Sequence, residues 1–117
     1  MKNRISILAL CLVVLAGLSS CKQFGIGDAN KMQRSMTQAQ ALDLASKGPR
    51  DTYKNAALNL DVQVYALSMG NVTSDYLLAF KNDKLIYWGY PYEFMRHSDP
   101  AIVEIGRWTV EKIEKDR

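Results

Sequence analysis

Apolar and polar residues alternate along the second half of the chain, and this alternation predicts strands. Residues 61–67 alternate regularly, and two further apolar runs follow over residues 75–81 and 84–90. Asn82 and Asp83 separate the last two runs, and both residue types tolerate a positive φ. The pattern therefore predicts a small antiparallel three-stranded sheet, in which a two-residue turn joins the second and third strands.

This turn also predicts the pairing of its two strands. If Lys81 lies opposite Lys84, the pairs on one face are Phe80 with Leu85, Leu78 with Tyr87, and Tyr76 with Gly89. The pairs on the other face are then Ala79 with Ile86 and Leu77 with Trp88. Because both faces are apolar, each needs a cover. We expect an N-terminal helix on one face and the C-terminal segment, a second copy or a partner on the other.

Helical spacing precedes the predicted sheet. Ser35 or Thr37 is a candidate cap, and Gly48-Pro49 is a typical end of a helix. The apolar positions of this helix are Met36, Ala39, Leu42 and either Leu44 or Ala45. Asp51 is a candidate cap for a second short helical turn through Tyr53, Ala57 and Leu58.

A second helix is predicted at the C-terminal end. Asp99 is a capping acid, and Pro100 suits the first helical position. Its apolar side is formed by Ile102, Ile105, Thr109 and Ile113. Gly106 weakens the helix unless another element packs closely against it. The expected fold is α+β, with an N-terminal helix or helix pair packed on the three-stranded sheet and a C-terminal helix.

The start of the chain has the pattern of a secretory signal. Lys2 and Arg4 precede the apolar run Ile5–Leu18, which is shorter than the roughly 20 residues of a membrane span. The segment Leu18-Ser19-Ser20-Cys21 resembles the lipobox of bacterial lipoproteins. The alternative is an ordinary secretory signal beside an unrelated cysteine.

The lipobox resemblance implies a lipid anchor. It implies cleavage between Ser20 and Cys21 and a covalent lipid on Cys21, so that acyl chains hold the protein on a membrane. Lys22 stands where an Asp favours retention at the inner membrane, which implies sorting to the outer membrane, with the periplasmic face as the expected location. The predicted division is a signal peptide over residues 1–20, a lipidated flexible tether over 21–31, and a single domain over 32–117.

Processing changes the charge and the cysteine content. The full chain has 15 basic and 12 acidic residues, and residues 1–20 contain two of the basic ones, Lys2 and Arg4. The mature chain is therefore nearly neutral, which gives no case for nucleic-acid binding. Cys11 leaves with the signal and Cys21 carries lipid, so no disulfide is expected.

The sequence offers little for catalysis. His97 is the single histidine, and Glu93, His97 and Asp99 are spaced so that they could hold a metal. The simpler interpretation makes Asp99 a helix cap and leaves the other two in solvent. We therefore predict no catalytic residue, no metal and no cofactor apart from the lipid.

Aromatic residues are concentrated in the segment Tyr87–Phe94, which contains five of them within eight residues. Tyr87 and Trp88 are expected in the core of the sheet. Pro91 indicates that regular pairing has ended, so the residues beyond it are better placed for contact with a partner. Aromatic residues and Arg are typical of binding hot spots. The predicted partner-binding residues are Tyr90, Tyr92, Phe94 and Arg96.

Two short motifs carry a family resemblance. Met36-Thr37 and Gly48-Pro49 bracket the first helix, and the segment Tyr76–Leu85 follows as a strand, a turn and a strand. In these features the chain resembles the SmpA/OmlA family of small outer-membrane lipoproteins, which contains BamE and OsmE. The resemblance implies a helix-plus-sheet fold and a non-enzymatic supporting role in the envelope, such as assistance to outer-membrane protein assembly.

The functional hypothesis is a lipid-anchored interaction or assembly module that binds an envelope protein. One alternative is a pilot lipoprotein, which escorts a secretion-system subunit to the outer membrane. Another is a lipoprotein that binds a small ligand such as lipid or peptidoglycan. Enzymatic activity is the least favoured of the four.

Overall fold

A four-stranded antiparallel sheet forms the centre of the domain. A computed structural model describes residues 23–117 of the chain. The strands β1 to β4 lie side by side in chain order, over Asp51–Asn55, Leu60–Met69, Val72–Lys81 and Lys84–Gly89. The helices α1 to α4 span Ile26–Asn30, Gln38–Ala45, Pro91–Met95 and Pro100–Asp116. A 3-10 turn over Ala56–Leu58 connects β1 to β2.

The prediction of a three-stranded sheet is wrong. The segment that was expected to form a helical turn from Asp51 is β1, and it pairs antiparallel with β2 from Asp51 opposite Val64 to Asn55 opposite Leu60. Only Ala56–Leu58 is helical. Without β1, the ten-residue strand β2 would present a long row of unpaired backbone groups at the sheet edge.

The predicted turn between β3 and β4 is confirmed. Asn82 and Asp83 have φ values of 52° and 60°, as a type I′ turn requires at both central positions. The predicted pairing beyond this turn is wrong after Phe80. A register shift between Ala79 and Phe80 pairs Ala79 with Tyr87 and Leu78 with Trp88.

This shift exchanges the faces of two aromatic residues. A bulge moves every later side chain to the opposite face of the strand. Trp88 consequently packs with Leu78 and Phe80, whereas Tyr87 packs with Leu77 and Ala79. Both rings are partly buried against these clusters.

Each face of the sheet has its own apolar cluster and its own cover. One face, which we call the N-terminal face because the N-terminal segment covers it, packs against Phe24, Met32 and α2. Its central residues are Tyr65, Leu67, Tyr76, Leu78, Phe80 and Leu85. The other face, which we call the C-terminal face, packs against Phe94 of α3 and against Ile102 and Ile113 of α4. The second face is thus covered by the C-terminal segment, which was one of the three possibilities left open by the sequence.

Both helix starts follow the predicted capping residues, but the predicted end of α2 at Gly48-Pro49 is wrong, because the helix stops at Ala45 and Ser46 adopts the left-handed conformation with φ 60°. The predicted buried side of α2 is correct for Ala45 and wrong for Ala39 and Leu42. Thr37 caps α2 by accepting a hydrogen bond from the Gln40 amide at 3.2 Å, and Asp99 caps α4 through the Ala101 amide at 2.9 Å. In α2, Ala41 and Ala45 are buried, whereas Ala39 and Leu42 are exposed.

The prediction of a flexible tether over residues 21–31 is wrong from Phe24 onward. Phe24 is only 1% exposed, its carbonyl accepts a hydrogen bond from the Ser68 amide at 2.9 Å, and its ring centroid lies 4.7 Å from that of Tyr65. Helix α1 follows directly, with Ala29 buried. The folded domain therefore begins near Phe24 and not at residue 32.

Candidate functional site

Three aromatic rings and one guanidinium form a continuous stack at one edge of the domain. The Tyr90 ring meets the Tyr76 ring edge-on, with 5.1 Å between centroids. Tyr92 lies parallel to Tyr90 at 5.7 Å and an interplanar angle of 8°. The Arg96 guanidinium carbon lies 5.6 Å from the centroid of the Tyr92 ring. We call these four residues, Tyr76, Tyr90, Tyr92 and Arg96, the aromatic stack.

The short helix α3 holds the outer half of this stack. Tyr90 is in an extended conformation just before Pro91, and its amide donates to the Glu93 carboxylate at 2.9 Å. Proline at the first helical position and a capping carboxylate favour a helix start at this point. Residues four apart share one side of a helix, so that Tyr92 and Arg96 are brought together.

Phe94 does not belong to this surface. Its side chain is 0% exposed, and its ring meets the Tyr87 ring edge-on at 4.7 Å. Because it is two positions from Tyr92 on a helix, it points to the other side, into the C-terminal face. The prediction that Phe94 binds a partner is therefore wrong. Tyr92 is 56% exposed, and Arg96 is also exposed.

The inner end of the stack is buried and uncharged. Burial, together with the nearby negative charge of Glu93, raises the pKa of Tyr76 to about 12. Its hydroxyl therefore stays protonated at neutral pH. The Tyr76 ring also lies 5.9 Å from the ring of Phe24. The stack is thus exposed to solvent at Arg96, and at its inner end Tyr76 contacts Phe24, the first buried residue of the described domain.

An apolar rim borders the stack. Met69 and Val72 face each other across the turn between β2 and β3, and they are 54% and 64% exposed. The Tyr90 hydroxyl lies 3.6 Å from the Met69 sulfur. Ile26 is 40% exposed, and it follows Gly25, where an added Cβ atom would lie 4.0 Å from the Ser68 carbonyl oxygen. We call Ile26, Met69 and Val72 the apolar rim.

The apolar rim was not predicted from the sequence. The predicted strands over residues 61–67 and 75–81 leave out Met69 and Val72, whereas in the structure only Gly70 and Asn71 lie outside the paired strands. Apolar and β-branched residues that flank a Gly-Asn pair are a hairpin signal, and this signal was available in the sequence.

The three residues considered as metal ligands have other roles. His97 Nδ1 accepts a hydrogen bond from the Asp99 amide at 2.9 Å, and the His97 ring lies 4.6 Å from the Tyr87 ring. Glu93 binds the Tyr90 amide, and Asp99 caps α4. Within residues 23–117, no group of three or more His, Cys, Asp or Glu side chains is arranged to hold a metal.

The predicted lipidation, cleavage and sorting residues, Ser20, Cys21 and Lys22, lie outside the described residues. In the part of the chain from residue 23 onward, no helix has the length and apolar character needed to cross a membrane. Comparison with models of known protein families and with curated proteins finds no match.

Proposed function

We propose that the protein is a lipid-anchored component of the bacterial cell envelope, which acts as a non-enzymatic interaction or assembly module. In this proposal, acyl chains on Cys21 hold it at the periplasmic face of the outer membrane, and Tyr90, Tyr92 and Arg96 bind an envelope protein. Its role is to support outer-membrane protein assembly or envelope integrity.

One observation supports the proposed partner site above the others. Tyr92 is more than half exposed although it is held between Tyr90 on one side and Arg96 on the other. Tyrosine and arginine are enriched in binding hot spots. A side chain that is already ordered loses less conformational entropy when a partner binds. The outer half of the stack is therefore suited to form the centre of a protein interface.

The lipid anchor is tested by metabolic labelling. Cells that express the full chain are grown with radioactive palmitate, and the protein is then isolated with detergent. We expect label on the native protein and none on the Cys21→Ser variant, because the serine oxygen does not replace the sulfur in the thioether. An unlabelled native protein, or equal label on the variant, would contradict the proposed anchor.

The partner site is tested by crosslinking in cells. Met95 is 40% exposed and lies three residues after Tyr92 on the same short helix, with its sulfur near Gly106 of α4, so a photoreactive amino acid at Met95 samples contacts beside Tyr92 without replacing a member of the stack. We expect a discrete protein adduct. Adding Tyr92→Ala is expected to lower its yield by about tenfold or more, which is the scale of a hot-spot residue.

Two controls accompany this experiment. Leu58 is 54% exposed near the opposite end of β2, and a photoreactive residue there should not give the same adduct. Tyr92→Phe keeps the ring and should retain most of the adduct. If Tyr92→Ala leaves the adduct unchanged, the stack is not the binding surface. A lipid or peptidoglycan adduct at Met95 would favour the small-ligand alternative.

A further inference from the structure

We propose that the apolar rim lies against the surface of the membrane that carries the lipid anchor. The bound surface is a phospholipid bilayer, and the contact orients the domain with the turn between β2 and β3 toward the lipid. This inference rests on the proposed lipidation of Cys21.

The distance from the anchor to the domain is short. Cys21 is three residues before Phe24 in the sequence, and three fully extended residues span about 11 Å at most. A bilayer has polar layers that add roughly 5–8 Å to each side of its hydrocarbon core. A lipidated Cys21 therefore keeps Phe24 within or just above the headgroup layer.

Phe24 is also rigidly attached to one end of the sheet. It is buried between the Tyr65 and Tyr76 rings, and its carbonyl is hydrogen-bonded to the Ser68 amide. A short link to a fixed point determines which end of the domain faces the bilayer. The end that faces it is the one where β2 finishes at Met69.

The rim is found at this end. Met69 is the residue after Ser68, Val72 is its cross-strand partner, and Ile26 is two residues after Phe24. All three are at least 40% exposed. At a membrane interface, exposed apolar side chains at this end of the domain are removed from water. The location of the rim near the anchor and its apolar side chains therefore both favour contact with the bilayer.

Charged and amphipathic residues border the rim. Lys47 and Arg50 line a shallow groove beside Phe24; the Arg50 guanidinium lies 3.4 Å from the Asp75 carboxylate, whereas Lys47 is exposed. An exposed lysine beside Phe24 suits the phosphate groups of lipids. Tyr90 adjoins Met69 and Tyr92 stacks on Tyr90, and tyrosine is enriched at membrane interfaces because one end of its side chain is apolar and the other polar. It follows that a partner bound at Tyr92 meets the domain close to the membrane.

Crosslinking to lipid tests the proposed contact. The full chain is expressed with a photoreactive amino acid at Met69 or Val72, or at Leu58 as the matched control. After irradiation, the isolated protein is analysed by mass spectrometry for attached phospholipid. Leu58 has a similar exposure, but it precedes β2, whose first residue Leu60 lies about 30 Å from Met69 at roughly 3.3 Å per residue. We expect severalfold more phospholipid adduct at Met69 and Val72 than at Leu58, and loss of the excess in the Cys21→Ser background.

The outcomes distinguish this inference from the proposal on which it rests. If palmitate labels the protein but Met69 and Val72 give no more phospholipid adduct than Leu58, the membrane contact is refuted and the anchor stands. If protein adducts dominate at the rim, the membrane contact is refuted and the rim is part of the partner site. If palmitate does not label the protein, the anchor and the membrane contact fail together.

Discussion

Replacing Phe94 with alanine is expected to destabilise the domain by about 3–5 kcal/mol. The ring is fully buried in the C-terminal face, where it contacts the Tyr87 ring and joins a cluster with Ile102 and Ile113. Its removal leaves a cavity between the sheet and α4. Urea unfolding followed by circular dichroism measures the change, which is a large part of the roughly 5–15 kcal/mol typical of a native domain.

Tyr92→Ala is the matched control because it removes an aromatic ring from the same short helix. Tyr92 is 56% exposed, so we expect its loss to change the free energy of unfolding by no more than about 0.5–1 kcal/mol. Equal effects of the two substitutions would contradict the burial of Phe94 and the exposure of Tyr92. The pair also separates stability from partner binding, since only Tyr92 is proposed to contact the partner.

Two features that local residue types determine, the turn between β3 and β4 and the start of α4, were predicted correctly. Asn and Asp tolerate a positive φ better than most residue types, and both Asn82 and Asp83 adopt one. The position of the turn follows from this preference. Asp99 and Pro100 likewise begin α4 through bonds within a few residues. Such signals need no knowledge of the rest of the fold.

The features that depend on distant partners were not predicted. β1 carries few apolar residues, and its conformation is determined by pairing with β2. Phe24 is the one aromatic residue in a polar stretch, so no periodicity marks it, and its burial depends on Tyr65 and Tyr76. The bulge beside Ala79 leaves no evident signal in the apolar run of β4, yet it determines the faces of Tyr87 and Trp88.

The candidate site was predicted in part for the same reason. The concentration of aromatic residues and Arg in the sequence indicated the segment Tyr90–Arg96 as the partner site. In the structure, Tyr90, Tyr92 and Arg96 lie together. Composition alone could not separate Phe94, since that requires knowing that the residues after Pro91 form a helix with two sides. The sequence around Gly70-Asn71 carries a hairpin signal that pairs Met69 with Val72, but the position of this pair beside Tyr90 depends on the packing of the whole domain.

The proposed anchor, the apolar rim and the aromatic stack lie next to one another at one end of the domain. Phe24 is three residues from Cys21, it contacts Tyr76, and Tyr76 begins the stack that ends at Arg96. The proposed partner site and the proposed membrane contact are therefore neighbours. A protein that binds the stack while the rim contacts lipid must itself lie at the membrane, which fits a role in envelope assembly.

Gly106→Ala is expected to destabilise the domain by about 1–3 kcal/mol, because it overpacks the contact between α3 and α4. A Cβ atom at Gly106 would lie 2.5 Å from the Phe94 Cβ, which cannot rotate away. In an open helix, the same substitution would stabilise by up to about 1 kcal/mol, because glycine is a poor helix former. The sequence left this question open, and the close approach of Phe94 resolves it.

Gly27→Ala provides the matched comparison for Gly106→Ala. Gly27 lies in α1, and a Cβ atom there would meet nothing within 4 Å. We expect this variant to unfold at the same urea concentration as the native protein or a higher one, whereas Gly106→Ala unfolds at a lower one. If Gly106→Ala leaves the midpoint unchanged or raises it, α3 does not approach α4 closely at Gly106. The opposite signs are therefore a direct test of how the C-terminal segment covers the sheet.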